Sequence, residues 1–195
     1  DLVIGVGPAG TGKSLFPCQE AIKQYIYNNK KIVITRPMQT VDEDLGYLPG
    51  GINDKMDPWV RPLLEIFQEY LSVSEVEILI KNKKIEIVPL AFMRGRTFKN
   101  SIIIGDEMQN TTPEQMFMLL TRIGKGSKLC ITGDLKQCDS SNNGLEDLIK
   151  RLHNHYVINK KGNITNDGIQ IVEFTRSDIL RHKFVSKIMG VYDKD

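Results

Sequence analysis

Gly7-Pro8-Ala9-Gly10-Thr11-Gly12-Lys13-Ser14 decides how the rest of the chain is read, because it fits the spacing G-x-x-x-x-G-K-[ST] at every fixed position. Glycines at 7, 10 and 12 leave backbone N–H groups free to converge on an anion, since no Cβ holds the chain off it. With Pro8, Ala9 and Thr11 completing the cradle, Lys13 is spaced to reach the β- and γ-phosphates of a nucleotide and Ser14 to ligate Mg²⁺. The neighbours suit this reading. Apolar Leu2-Val3-Ile4 precedes the stretch and a helical pattern follows it, which adds the positive end of a helix dipole.

Outward from the loop, Leu2–Val6 reads as a buried strand and Lys13–Asn29 as a helix with Ala21, Ile22, Tyr25 and Ile26 on an apolar face. Pro17 disturbs that helix. It removes one intrahelical hydrogen bond and crowds the preceding turn, so a kink or a loosened first turn is expected. Lys31–Thr35 is a β-branched run closed by Arg36-Pro37. Met38 to Pro58 carries Gly46, Pro49, Gly50 and Gly51 and reads as a connection of a length often found to be functional or mobile. Pro58 to Leu71 then reads as a helix with Trp59, Leu63, Leu64, Phe67, Tyr70 and Leu71 on one side, for which core packing is the natural explanation. Lys81 to Lys84 is a solvated turn before a strand, Ile85–Pro89. In Met93-Arg94-Gly95-Arg96-Thr97, two arginines flank a glycine; they can bind phosphate groups or simply face solvent.

A second anchor is Ser101-Ile102-Ile103-Ile104-Gly105-Asp106-Glu107-Met108-Gln109, an apolar strand running into two carboxylates. Opposite a phosphate-binding loop, Asp106 is suited to hold Mg²⁺ and Glu107 to orient or deprotonate an attacking water. Thr112 reads as the N-cap of a helix with Pro113 in its first turn, running to Arg122-Ile123 and ended by Gly124. The next strand, Lys128–Thr132, leads to Gly133-Asp134-Leu135-Lys136-Gln137, where Gln137 either senses the γ-phosphate or belongs to a plain turn structured by Asp134. Leu145–His153 reads as a short helix, and Tyr156 to Phe174 as two alternating segments forming a hairpin or an edge excursion. Ser177 or Asp178 is placed to cap a last helix with Phe184, Val185, Ile188 and Met189 on its apolar face.

Composition narrows the classes further. The 195 residues suffice for one domain with a sizeable core, and 41% hydrophobic with 26% charged residues is ordinary for a globular chain. A formal net charge of +2 neither demands nor excludes nucleic acid, since a basic face can hide in a balanced total. Cys18, Cys130 and Cys138 form no C-x-x-C pair, and His153 with His155 lacks a third ligand, so neither a disulfide framework nor a zinc site is expected. No apolar run approaches the roughly 20 residues of a membrane span, and a cytoplasmic setting is expected. The chain opens at Asp1 with the glycine loop six residues in, which reads as an excerpt of something longer. Strands alternating with helices give an α/β fold with a largely parallel sheet. The loop after the first strand and the later acidic strand end narrow it to a P-loop NTPase core, with its ligand at the carboxyl ends of the strands.

The blocks at 7–14, Thr35-Arg36-Pro37, Gly46-Tyr47-Leu48-Pro49-Gly50, Met93–Thr97, Asp106–Asn110, Thr121-Arg122-Ile123-Gly124, Ile131–Asp134 with Gln137, and Asp178-Ile179-Leu180-Arg181-His182 together resemble the PhoH family of ATPases, in order and over nearly the full length. The resemblance implies a single three-layer, RecA-like domain over 1–195, akin to the core of superfamily-one helicases and lacking the family's N-terminal segment. It also implies ATP and Mg²⁺ as cofactors, Lys13 and Glu107 as catalytic groups, Ser14 and Asp106 at the metal, and Gln137 at the γ-phosphate. Arg181, or Arg122 or Arg176, is implied as the arginine completing a neighbour's site. Family members are linked to phosphate starvation and to RNA metabolism. Two residues depart from the family pattern: Pro17, and Gly105, which is expected to loosen the strand end.

A lone RecA-like domain has no second domain to supply an arginine to the γ-phosphate, so a homo-oligomer is expected, ring-forming and in the fullest version hexameric. Arg36, Arg94 and Arg96 are the candidates for contact with single-stranded RNA. A nucleotide-gated binding module with little turnover is the alternative. A small-molecule kinase is the weaker third, since it lacks an arginine-rich lid segment.

Overall fold

The computed structural model describes residues 1–37, 52–138, 143–156 and 168–180, the stretch 52–58 by its backbone alone. Its strands are β1 (Leu2–Val6), β2 (Lys31–Thr35), β3 (Ile85–Ile87), β4 (Ser101–Gly105), β5 (Lys128–Gly133) and β6 (Ile169–Glu173). The helices are α1 (Leu15–Asn28), α2 (Ile52–Gln68), α3 (Val73–Lys81), α4 (Pro113–Leu120) and α5 (Gly144–His155). The strands form one six-stranded sheet in the order β3-β2-β4-β5-β1-β6, parallel at every pairing. Parallel neighbours need crossovers, and these put helices on both faces.

Side-chain alternation assigns the two faces. Ile32, Ile34, Ile102 and Ile104 pack with Cys18, Ala21 and Ile22 of α1, Val60, Leu63 and Phe67 of α2, and Val76 and Leu79 of α3. Their sequence neighbours point the other way. Val33 and Ile103, with Ile4 and Ile131, meet Met116 and Leu119 of α4 and Leu145, Leu148 and Leu152 of α5. Two apolar layers around a sheet buried on both sides make the three-layer α/β architecture that the strand–helix alternation implies.

Several boundaries differ from the sequence reading. α1 starts at Leu15, two residues later than expected, so Pro17 falls in its first turn, where helical N–H groups lack partners within the helix. The Gly12 carbonyl accepts from Phe16 at 3.1 Å and that of Ser14 from Cys18 at 3.4 Å, so the turns continue on either side of the proline. Ile26 is 56% exposed and lies off the buried face. α2 begins at Ile52, directly after the glycines at 50 and 51 and six residues before the expected start; Tyr70 lies beyond its end, half exposed. α3 has no counterpart in the sequence reading, although Ser72 and Glu75 form a reciprocal capping box at its start. β3 stops at Ile87, ahead of Pro89, and α4 ends at Leu120, short of the expected Arg122-Ile123.

β4 is paired and buried through Gly105. A Cβ there would lie 2.8 Å from Met108 Cε and 3.2 Å from Leu119 Cδ2, so this glycine makes room for packing and does not loosen the strand end. β6 joins the main sheet parallel to β1, as the outermost strand among the described residues. At the end, Thr175 and Asp178 cap a short 3₁₀ turn over Arg176–Asp178. Residues 38–51, 157–167 and 181–195 lie outside the described set, and with them the block at 46–50, the first arm of the expected hairpin, Arg181 and the expected last helix. Among the described residues no helix is long and apolar enough to cross a membrane.

The thiols give a direct check on the packing. Cys18 and Cys130 are buried against the sheet. Burial, with Asp106 nearby, pushes the Cys18 thiol far up, and burial beside Glu20 raises Cys130 from 9.0 to about 11. Raised values favour the protonated folded state. Their contribution to stability is therefore full below about pH 9 and lost as pH climbs through about 11 for Cys130. Under native conditions at neutral pH, iodoacetamide should modify the half-exposed Cys138 only, and in denaturant all three; mass spectrometry showing native adducts at Cys18 would contradict the packing.

Candidate functional site

The glycine loop joins β1 to α1 and is clasped from two sides. Gly7 N–H donates to the Gly133 carbonyl at 3.2 Å and Leu180 N–H to that of Gly10 at 3.1 Å. At Gly7 the backbone has φ +152°, and a Cβ would stand 2.5 Å from the Phe174 carbonyl oxygen, so only glycine fits. Within the loop the Pro8 carbonyl accepts from Thr11 Oγ1 at 2.9 Å and from Lys13 Nζ at 3.0 Å. The lysine head thus sits inside the curl of its own loop. A phosphate oxygen there would offer it a charged acceptor in place of a neutral carbonyl.

β4 delivers the acidic pair to the same end of the sheet. Asp106 N–H donates to the Thr35 carbonyl at 3.0 Å, continuing the β2–β4 ladder, and its carboxylate is buried. Oδ1 accepts from Ser14 Oγ at 2.8 Å and from Thr132 Oγ1 at 2.5 Å. Ser14 and Asp106, 92 residues apart in the chain, are thereby brought into contact. A hydroxyl and a carboxylate converging beside a glycine cradle fit Mg²⁺ with a nucleotide, since that ion is commonly held by one or two protein oxygens plus phosphates. Among the described residues there is no cluster of three or more His, Cys, Asp or Glu side chains, and the exposed His153 and His155 bring in no third ligand.

Glu107 adopts φ 56°, ψ 38°, a left-handed conformation that costs a non-glycine residue roughly 1–3 kcal/mol and that the surroundings must enforce. Its Oε2 accepts from Gln109 Nε2 at 2.6 Å, and its Oε1 lies 3.3 Å from Arg36 Nη2. Gln109 is buried and accepts from Asp134 N–H at 3.1 Å through its own Oε1. That approach depends on Gly133, where a Cβ would fall 2.8 Å from Gln109 Oε1. The turn after β5 is therefore tied to the acidic pair through one glutamine.

The remaining candidates divide. Asp134 Oδ1 accepts from Lys136 N–H at 3.0 Å and so shapes its turn. Gln137 borders two grooves, one of about 490 Å³ with Arg36, Trp59 and Glu107, the other of about 670 Å³ with Gly7, Pro8 and Arg176. Arg36, a candidate RNA contact in the sequence reading, lies at the acidic pair; its Nε is 3.7 Å from Asp106 Oδ2, and its Nη1 donates to the Trp59 carbonyl. Trp59 packs partly into the α2 side of the core while also lining that groove. Arg96 is engaged as well, 2.6 Å from Glu86 Oε1 and 4.6 Å over the Phe98 ring. Burial works against the Glu86 charge, but hydrogen bonds from Lys31 and Arg96 outweigh it and hold this carboxyl below its ordinary value. Arg94 is exposed. Arg122 closes the end of α4, donating to the carbonyls of Met118 and Arg96 at 3.0 Å each and to Thr121 Oγ1 at 2.9 Å. Thr132, Gln109 and the placement of Arg36 are what residue-by-residue reading missed; only Gln109 had a sequence signal, as the last residue of Asp-Glu-x-Gln.

Known proteins resemble this chain along its length. The profile of a family described as PhoH-like protein matches residues 1–193. A PhoH-like protein of Bacillus subtilis (strain 168) is 43% identical over 195 residues, covering all of this chain and 59% of its own. One from Synechocystis is 37% identical over 202 residues, with 100% and 57% covered, and Protein PhoH of Escherichia coli K12 is 34% identical over 197 residues, with 98% and 52% covered. The chain spans about half the length of these relatives.

Proposed function

The chain belongs to the family of PhoH-like proteins, and on that premise we propose that it binds ATP with Mg²⁺ and hydrolyses it. The observation carrying the reading is the 2.8 Å contact of Ser14 with Asp106, which joins the glycine loop to the acidic strand end. In this reading Gly7, Pro8, Ala9, Gly10, Thr11 and Gly12 present backbone N–H groups and Lys13 its ammonium to the phosphates. Ser14 and Asp106 hold the ion, whose contribution when bound is to neutralise charge on the phosphate oxygens. Glu107 accepts a proton from the attacking water, and Gln137 contacts the γ-phosphate.

The completing arginine is proposed to come from a second copy in a ring-forming, hexameric homo-oligomer. Arg122 is spent on its own helix end, while Arg176 borders the groove beside Gly7 and Arg181 follows four residues after Ser177 in the sequence. Single-stranded RNA as the activating partner and a role in phosphate starvation rest on the family resemblance, and a cytoplasmic setting on the composition of the chain. Steady-state ATPase assays at several protein concentrations, with and without single-stranded RNA, are the test. Turnover per subunit should rise with both. Intact nucleotide binding without turnover under any condition would favour a second reading, a nucleotide-gated binding module, for which the engagement of both Glu107 carboxylate oxygens speaks.

A further inference from the structure

Register places Thr35 opposite Gly105, so the residue after β2 emerges beside the residues after β4. That residue is Arg36, and its guanidinium spans the acidic pair. With Gln109 on Oε2 and Arg36 near Oε1, both oxygens of Glu107 are occupied. A carboxylate held at both oxygens is fixed in direction, and turning it toward an attacking water means loosening one of the two holds.

The two holders differ in how readily they leave. Gln109 is 2% exposed and pinned by Asp134 N–H. Arg36 has a side chain 22% exposed and borders the polar groove of about 490 Å³ with Trp59, Asn110 and Gln137. A guanidinium that pairs with a carboxylate pairs as well with a phosphate, which matches its planar fork and carries equal or greater charge. The side-chain amides of Asn110 and Gln137 supply further donors at the groove, and Trp59 an aromatic surface.

We propose that Arg36 is a positioning residue that restrains Glu107, and that the groove beside it binds a phosphoryl group which draws Arg36 away and frees the base. The inference rests on the ATPase reading. The phosphoryl group can belong to a nucleic-acid backbone or to free phosphate, and the two are separable by assay.

The experiment compares wild type, Arg36→Gln and Arg36→Lys as full chains, measuring affinity for a fluorescent ATP analogue and ATP turnover alone, with a single-stranded RNA oligonucleotide, and with inorganic phosphate. Arg36→Gln should raise basal turnover about two- to fivefold, the span expected for losing one partly exposed ion pair. Analogue affinity should stay unchanged, and stimulation by whichever ligand activates wild type should disappear. Arg36→Lys, which keeps the charge and loses the fork, should fall between. Activation by the oligonucleotide alone assigns the groove to a nucleic-acid backbone, and activation by phosphate alone to the free anion. Basal turnover in Arg36→Gln at or below wild type with affinity intact would overturn the proposal, as would stimulation surviving in that variant or wild type responding to neither ligand. A wild type that binds no analogue would instead overturn the nucleotide reading, and this inference with it.

Discussion

Lys13→Ala should leave no measurable binding of a fluorescent ATP analogue. Among the described residues the Lys13 head donates to the Pro8 carbonyl alone, at 3.0 Å, a neutral acceptor inside its own loop. Bound nucleotide would give it charged oxygens on two phosphates. Hydrogen bonds to charged groups contribute roughly 1.5–3 kcal/mol each, so losing two weakens affinity by about two to four orders of magnitude. The fold should survive, because this side chain bonds within its own loop and belongs to neither apolar layer. Fluorescence anisotropy titration, with a thermal melt as the folding control, decides it. Affinity within about threefold of wild type would remove Lys13 from the site.

Glu107→Gln separates binding from chemistry. The substitution preserves shape, and the lost charge lies outside the direct contacts among Ser14, Thr132 and Asp106. Analogue affinity is expected to hold, while turnover drops by about two to four orders of magnitude, the usual contribution of a positioned general base. Single-turnover measurement of phosphate release with the protein in excess isolates the chemical step. Equal loss of binding and turnover would strip Glu107 of the role assigned to it. The left-handed backbone at this residue adds a control, since Glu107→Gly relieves the strain yet removes the carboxylate and should be as inactive as Glu107→Gln.

What could be read in the sequence was local. The glycine loop, the acidic strand end and the Thr112 cap each carry their signal within a few residues, and the β-branched runs gave five of the six strands within one or two positions. Position in the sheet was another matter. Arg36 follows an ordinary strand, and nothing near it says that β2 lies against β4; that adjacency alone turns a surface arginine into a partner of Glu107. Thr132 likewise reads as the end of an apolar run until β5 is placed beside β4, where its hydroxyl meets Asp106. α3 escaped for a different reason. The capping pattern Ser72-Val73-Ser74-Glu75 went unread, and a nine-residue helix holds too few turns for its apolar spacing to stand out. Pro17 shows the opposite error, a correct rule applied two residues out of frame, because the turn after the glycine loop is not yet counted in the helix.

The clasp around the glycine loop bears on the order in which the protein matures. Gly10 takes a hydrogen bond from Leu180, and Gly7 is shaped against the carbonyl of Phe174, so the glycine loop is finished by residues far downstream of it in the sequence. β1 itself lies between β5 and β6, both of which are synthesised long after it. Closing such distant contacts is the slow part of folding a parallel sheet. During synthesis the loop's final shape therefore waits on β6 and the residues just after it, which must come to lie beside β1.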